Sequence, residues 1–136
     1  MKRYLLDTSL LAGYFHNRVT AVKLITPWLK ERKVATSLLV YGEVIEYLKG
    51  LPNYADHYTH FHQILSEIPP SPLTYAILER YADIRRTLRP LHQDIGDIDT
   101  LIAATALAED MTLVTIDHDF ARVPGLHVQL VDLKAA

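Results

Sequence analysis

The sequence predicts an α/β fold, a three-layer α/β/α sandwich around a mainly parallel sheet. Three observations carry that prediction. Short runs of β-forming or apolar residues alternate with longer stretches of helical periodicity, the pattern of strands crossing back through helices. The first such run, YLL in residues 3–9 (RYLLDTS), stops abruptly on Asp7, which puts a carboxylate at the carboxyl end of a buried strand. A late stretch, LIAATALA, is apolar nearly all round, so its helix must be buried on most sides.

The elements follow in order. Tyr4, Leu5 and Leu6 form the first strand. Thr8 and Ser9 are good helix starters, and Leu10, Leu11, Tyr14 and Phe15 recur at helical spacing after them. Residues 19–33 place Val22, Ile25, Trp28 and Leu29 on one helical face, with Pro27 expected to kink or split the helix. Val34–Ser37 is a second strand, and Ser37 is placed to cap the helix Leu38–Lys49, which Gly50-Leu51-Pro52 stops. Residues 54–66 form a helix with Tyr58, Phe61 and Leu65 on one side. Residues 67–72, with three prolines, allow at most a short edge strand. In the helix 74–88, Tyr75, Leu78, Tyr81, Ala82 and Ile84 are expected inward and Arg80, Arg85 and Arg86 outward. Arg89-Pro90 ends it and 91–96 is loop. A helix then starts at Asp97 or Ile98 and runs to about Glu109. Thr112–Thr115 (TLVT) is a buried strand, 117–122 a short turn or helix, and 127–131 a final strand.

A length of 136 residues suits a single domain with a sizeable core, spanning 1–136, and 49 % apolar with 22 % charged residues is an ordinary globular balance. The absence of cysteine excludes disulfides, thiolate metal sites and cysteine nucleophiles, and suits a cytoplasmic location. Met1-Lys2-Arg3 before leucines resembles the start of a signal peptide, but Asp7 interrupts the run after three residues, and no apolar run approaches transmembrane length. A net charge of −2 argues at first against a nucleic-acid partner. If several acids are gathered in one cation site, however, the sign of the remainder reverses, so net charge decides nothing.

Four acids occupy unusual positions. Asp7 ends a strand; its plain alternative is to cap the next helix. Glu43 shares a helical face with Leu39, Val40 and Tyr47, where an unpaired glutamate is rare, the alternative being a pair with Lys49 or an arginine. Asp99 lies in the first turn of the apolar helix, on a face continued by Ile102, Ala103 and Ala106. Acids are favoured there by the helix dipole, and Asp97 is the alternative cap that would leave Asp99 free. Asp117 follows TLVT by one residue, at the same sheet edge as Asp7, with Asp119 the competing choice and an Asx turn the plain alternative. Converging carboxylates repel unless a cation holds them. An all-oxygen set suits Mg²⁺ or Mn²⁺, whose chemistry includes phosphodiester cleavage.

The stretches YLLDTS, SLLVYGEV and DTLIAATALAEDMTLVTIDHDF, spread over nearly the whole chain, resemble the PIN domain, and more narrowly the VapC-type ribonuclease toxins of toxin–antitoxin pairs. The resemblance implies a PIN-like α/β/α sandwich and a metal-dependent endoribonuclease. It makes Asp7, Glu43, Asp99 and Asp117 an acidic quartet around Mg²⁺ or Mn²⁺, the fourth position being the most variable in the family. Thr8 and Thr115 match hydroxyl positions that support such sites, with Asp97 and Asp119 as further neighbours. It also implies an RNA substrate, a small antitoxin and a homodimer. An RNA-maturation nuclease, or a non-catalytic RNA- or protein-binding PIN module, are the alternatives.

Other chemistries fit less well. A haloacid-dehalogenase-type phosphatase needs a second Asp where Ser9 stands. A receiver domain needs an acidic pair at the first strand and a late lysine, and no G-x-G-x-x-G or P-loop occurs. His57 and His60 could share a helix face, but no third zinc ligand accompanies them, and a polar face is the better reading. Lys30, Arg32, Lys33, Arg80, Arg85, Arg86 and Arg89 are candidate phosphate contacts.

Overall fold

The computed structural model describes residues 2–134. β1 (Tyr4–Leu6) leads into α1 (Thr8–Phe15) and α2 (Val19–Lys30), then β2 (Val34–Ser37), α3 (Leu38–Lys49) and α4 (Tyr54–Leu65). β3 (Pro70–Ser71) precedes α5 (Tyr75–Leu88) and a 3₁₀ turn (Arg89–Leu91). α6 (Asp97–Ala108), β4 (Thr112–Thr115), a second 3₁₀ turn (His118–Arg122) and β5 (Val128–Leu130) complete the chain.

The strands form one sheet in the order β3-β2-β1-β4-β5, and every pairing is parallel. The register sets Tyr4 beside Val34 and Thr112, and Leu6 beside Val114, so β1 and β4 end on the same edge. The chain first moves from β1 out to β3 and then crosses back to β4. With right-handed crossovers this reversal places α1–α4 on one face and the α5–α6 pair on the other, the predicted three layers. Leu5, Leu6, Leu113 and Val114 are fully buried between them, as central parallel strands require. In α6, Ile102, Ala103, Ala104 and Ala106 are all buried, and the alanines let this helix lie close to its neighbours. Pro70, which has no N–H to donate, sits in the two-residue edge strand β3.

Two helical expectations change. Pro27 does not split α2, which runs on to Lys30. Only three residues follow it, and they are held from outside. The Trp28 ring stacks on Tyr4 of β1 with centroids 3.7 Å apart, and the N–H groups of Arg32 and Lys33 close back on the carbonyls of Leu29 and Trp28. In α5 the inward stripe is Ile77, Ile84 and Leu88, whereas Tyr75 is 88 % and Leu78 43 % exposed. The helix is rotated so that this stripe faces α6, its main partner, and Tyr81 falls at the margin rather than in the core.

Candidate metal centre at the carboxyl edge of the sheet

The reversal of strand order falls between β1 and β4, and ligands of open α/β sheets bind in the crevice outside the strand ends at such a point. Asp7 occupies that point. It is 6 % exposed and serves as the N-cap of α1, its Oδ1 accepting the Leu10 N–H at 3.3 Å. Its other oxygen, Oδ2, accepts the Thr115 hydroxyl from the end of β4. The cap is thus Asp7, not Thr8 or Ser9, and capping uses only one of its two oxygens. Burial pushes its pKa from 3.8 up to about 6. The hydrogen bonds from Thr115, Leu10 and Ser9 pull it down, and the charge of Asp99 adds to the rise.

The other acids stand around it. Glu43, half-buried on α3, accepts the Thr8 hydroxyl at 2.5 Å, so a side chain from α1 orients a carboxylate from α3. Asp99, half-buried in the first turn of α6, has its pKa raised by burial first and then by repulsion from Asp117, Glu43 and Asp119. Asp99 therefore feels acids from α3, from α1's cap and from the segment after β4. The Asp117 N–H donates to the Thr115 hydroxyl at 3.0 Å, so Thr115 ties Asp7 and Asp117 together. Asp117 also accepts the Asp119 N–H at 2.9 Å, the Asx-type turn anticipated for it.

The remaining acids behave differently. Asp97 is not the cap of α6; Gly96 is, and Asp97 begins the helix. Its exposed carboxylate is paired with Arg85 and accepts the Tyr81 hydroxyl at 3.4 Å. Asp119 pairs with Arg122 at 3.2 Å. Among the described residues, no lysine or arginine forms an ion pair with Asp7, Glu43, Asp99 or Asp117. Lys49, the partner considered for Glu43, lies over the Tyr54 ring instead.

Among the described residues, no three Asp, Glu or His side chains are close enough to chelate an ion as they stand. The donor set still fits Mg²⁺ or Mn²⁺. It is all oxygen, it is uncompensated, and Mg²⁺ takes one or two carboxylates directly and fills its octahedron with water. An open ring of acids suits a hydrated ion of that kind better than a closed cage would. The histidines make no competing site. His57 and His60 pack around Phe15, with centroids 5.9 and 4.9 Å away, and His62 shares a hydrogen bond with the Tyr41 hydroxyl.

Sequence reasoning missed two contributors. Thr36, fully buried in β2, donates its hydroxyl to the Leu6 carbonyl at 2.9 Å and so fixes the strand end that carries Asp7. Its only signal was a hydroxyl residue inside the strand VATS. Tyr81 was read as core, yet its hydroxyl reaches Asp97.

A parallel α/β domain with acids beside the strand ends at its switch point carries them where open α/β sheets bind ligands. The family model for the PIN domain matches residues 4–126, and the chain belongs to the PIN-domain family. Its structural neighbours include toxin–antitoxin complexes. VapBC2 from Rickettsia felis, bound to a promoter DNA fragment, superposes with a TM-score of 0.87 at 24 % identity, covering 95 % of this chain and 98 % of that one. FitAcB from Neisseria gonorrhoeae gives 0.81 at 22 % identity, covering 98 % and 99 %. A toxin–antitoxin complex from Klebsiella pneumoniae gives 0.72 at 26 % identity, covering 96 % and 97 %. No curated protein sequence matches the chain.

Proposed function

We propose that the chain is an Mg²⁺- or Mn²⁺-dependent endoribonuclease that hydrolyses RNA phosphodiester bonds, the toxin of a toxin–antitoxin pair. The observation that carries this is that Asp99 is repelled by Asp7, Glu43 and Asp117 at the switch point of the sheet, and that among the described residues none of the four is ion-paired with a basic side chain. A divalent ion held by Asp7, Glu43, Asp99 and Asp117 would supply an activated water and stabilisation of the leaving oxygen. The protein's part is positioning. Thr115 and the Leu10 N–H fix Asp7, Thr8 fixes Glu43, and the turn after β4 fixes Asp117. Asp99, partly exposed at the start of α6, is placed to relay a proton to solvent.

The toxin–antitoxin complexes among the structural neighbours support a small antitoxin as partner, and the toxin reading carries with it a homodimer working in the cytoplasm. No helix among the described residues is long and apolar enough to cross a membrane. The test is cleavage of a panel of structured and single-stranded RNAs with Mn²⁺, with Mg²⁺ and with chelator. Asp7→Asn should lower cleavage at least about a hundredfold while the fold survives. Wild-type protein that cuts no RNA with either ion would return the chain to the non-catalytic PIN modules.

A further inference from the structure

Beside the acidic edge lies a second feature of opposite charge. Tyr81, Arg85, Arg86 and Arg89, with Ala82 and Pro90, line a cavity of about 490 Å³ at the end of α5, within the roughly 300–1,000 Å³ usual for ligand sites. The Arg85 guanidinium is held at two points. It lies over the Tyr81 ring at 5.4 Å from the centroid, and it is ion-paired with Asp97, which also accepts the Tyr81 hydroxyl. A planar cation is thus presented in a fixed orientation, only about a quarter exposed. Arg86 and Arg89 are exposed, and among the described residues neither forms an ion pair.

The position matters as much as the charge. Asp97 and Asp99 are two residues apart at the start of α6, so at 100° per residue they project from opposite sides of its first turn. The arginine cavity flanks one side of that turn and the carboxylate group the other. A strand laid across the turn reaches both.

We propose that this cavity is a subsite for one single-stranded nucleotide adjacent to the scissile bond. The base stacks on the guanidinium plane of Arg85, and its phosphate lies between Arg86 and Arg89. Unpaired bases are recognised by stacking on aromatic rings or arginine planes, and a guanidinium over a tyrosine ring offers both in one unit. Asp97 is a positioning residue, since it holds Arg85 by an ion pair and Tyr81 by a hydrogen bond.

The inference rests on RNA being the substrate, and the test separates the two. Binding of a labelled single-stranded RNA to the full chain is measured by anisotropy in EDTA over a salt series, and metal-dependent cleavage is measured in parallel. Arg86→Ala/Arg89→Ala should weaken binding at least about tenfold and flatten the log–log salt slope by about 1.4, two contacts at about 0.7 each. Arg85→Lys keeps the charge but loses the plane, and should weaken binding with little change of slope. Melting temperatures near wild type confirm that the variants fold. Unchanged affinity and slope in the double variant, or no binding of RNA by the wild type, overturns the subsite. Preference for a polyglutamate peptide over RNA, lost in the same variants, also overturns it and makes the cavity a protein-docking site. Cleavage with unaltered variant binding sinks the subsite and leaves the nuclease standing; weakened variant binding without any cleavage sinks the nuclease, and with it the placement beside a scissile bond, while the cavity still binds RNA.

Discussion

Asp7→Asn should make the metal-free protein more stable at neutral pH, although it removes a group buried at the heart of the sheet. The Asp7 carboxyl has its pKa raised by burial from 3.8 to about 6, so the folded state holds the proton more tightly than the unfolded chain does. Below about pH 4 both states are protonated and nothing is lost. As pH rises from about 4 to about 6 the unfolded chain ionises first, and the folded state loses relative stability. Above about pH 6 the whole penalty remains, about 3 kcal/mol for a displacement of roughly two pH units. Asparagine mimics the protonated carboxyl and caps helices as well as aspartate does, so the bond from Leu10 survives. In EDTA the variant should exceed wild type by about 1–3 kcal/mol at pH 7.5, several degrees in melting temperature, and match it near pH 4. Manganese should then close the gap by stabilising only the wild type, by about 2.7 kcal/mol at a hundredfold excess over Kd. Urea unfolding at the two pH values, with and without Mn²⁺, reads all of this. A variant less stable than wild type at pH 7.5, or a gap that ignores pH, would show that Asp7 is an ordinary capping residue.

Three further expectations use the same site. Asp7→Asn/Asp99→Asn should melt above wild type in EDTA and respond little to Mn²⁺, because two of the mutually repelling charges are gone; calorimetry with and without the ion checks it. Thr115→Val leaves Asp7 without a hydroxyl donor and the Asp117 N–H without its acceptor. It should cost about 1–3 kcal/mol and lower cleavage, while Thr115→Ser retains both, as urea melts and RNA cleavage would read. Trp28→Ala removes the ring stacked on Tyr4 and should destabilise by about 3 kcal/mol with metal response intact, because the stack lies at the opposite end of β1 from Asp7.

Much of this was legible before any coordinates. Alternation of strands and helices, the stop at Asp7 and the all-round apolar helix were enough for the layers, the parallel sheet and the edge on which Asp7 and Asp117 emerge. What could not be read depends on rotations and long-range partners. The stripe of α5 is set by how it seats on α6, and a face holding Tyr75 and Leu78 scores as well on periodicity as one holding Ile77, Ile84 and Leu88. The survival of α2 past Pro27 depends on Tyr4, more than twenty residues earlier in the chain. Thr36 acts through a hydrogen bond to a backbone carbonyl, which no pattern of side chains records.

Two of the four acids have a second acid two residues away, Asp97 beside Asp99 and Asp119 beside Asp117, and the two members of each pair differ in the same way. In each pair one acid is exposed and neutralised by an arginine: Asp97 by Arg85, Asp119 by Arg122. The other is more buried, has no basic partner among the described residues, and lies among further acids. An exposed ion pair contributes little to stability, but it removes a carboxylate from competition for a cation. A half-buried carboxylate kept without a counter-charge is the expensive arrangement, sustained only if something else supplies the charge. The Asp119–Arg122 pair is at i,i+3 and could have been read locally. The Asp97–Arg85 pair joins two helices and could not. This division is the reason we propose Asp99 and Asp117, with Asp7 and Glu43, as the acids that hold the ion. It also implies that neutralising an outer acid, as in Asp119→Asn, should leave metal stabilisation nearly intact, whereas Asp117→Asn should reduce it. Equal losses in the two variants would mean that proximity alone, and not the absence of a partner, decides which carboxylates hold the ion.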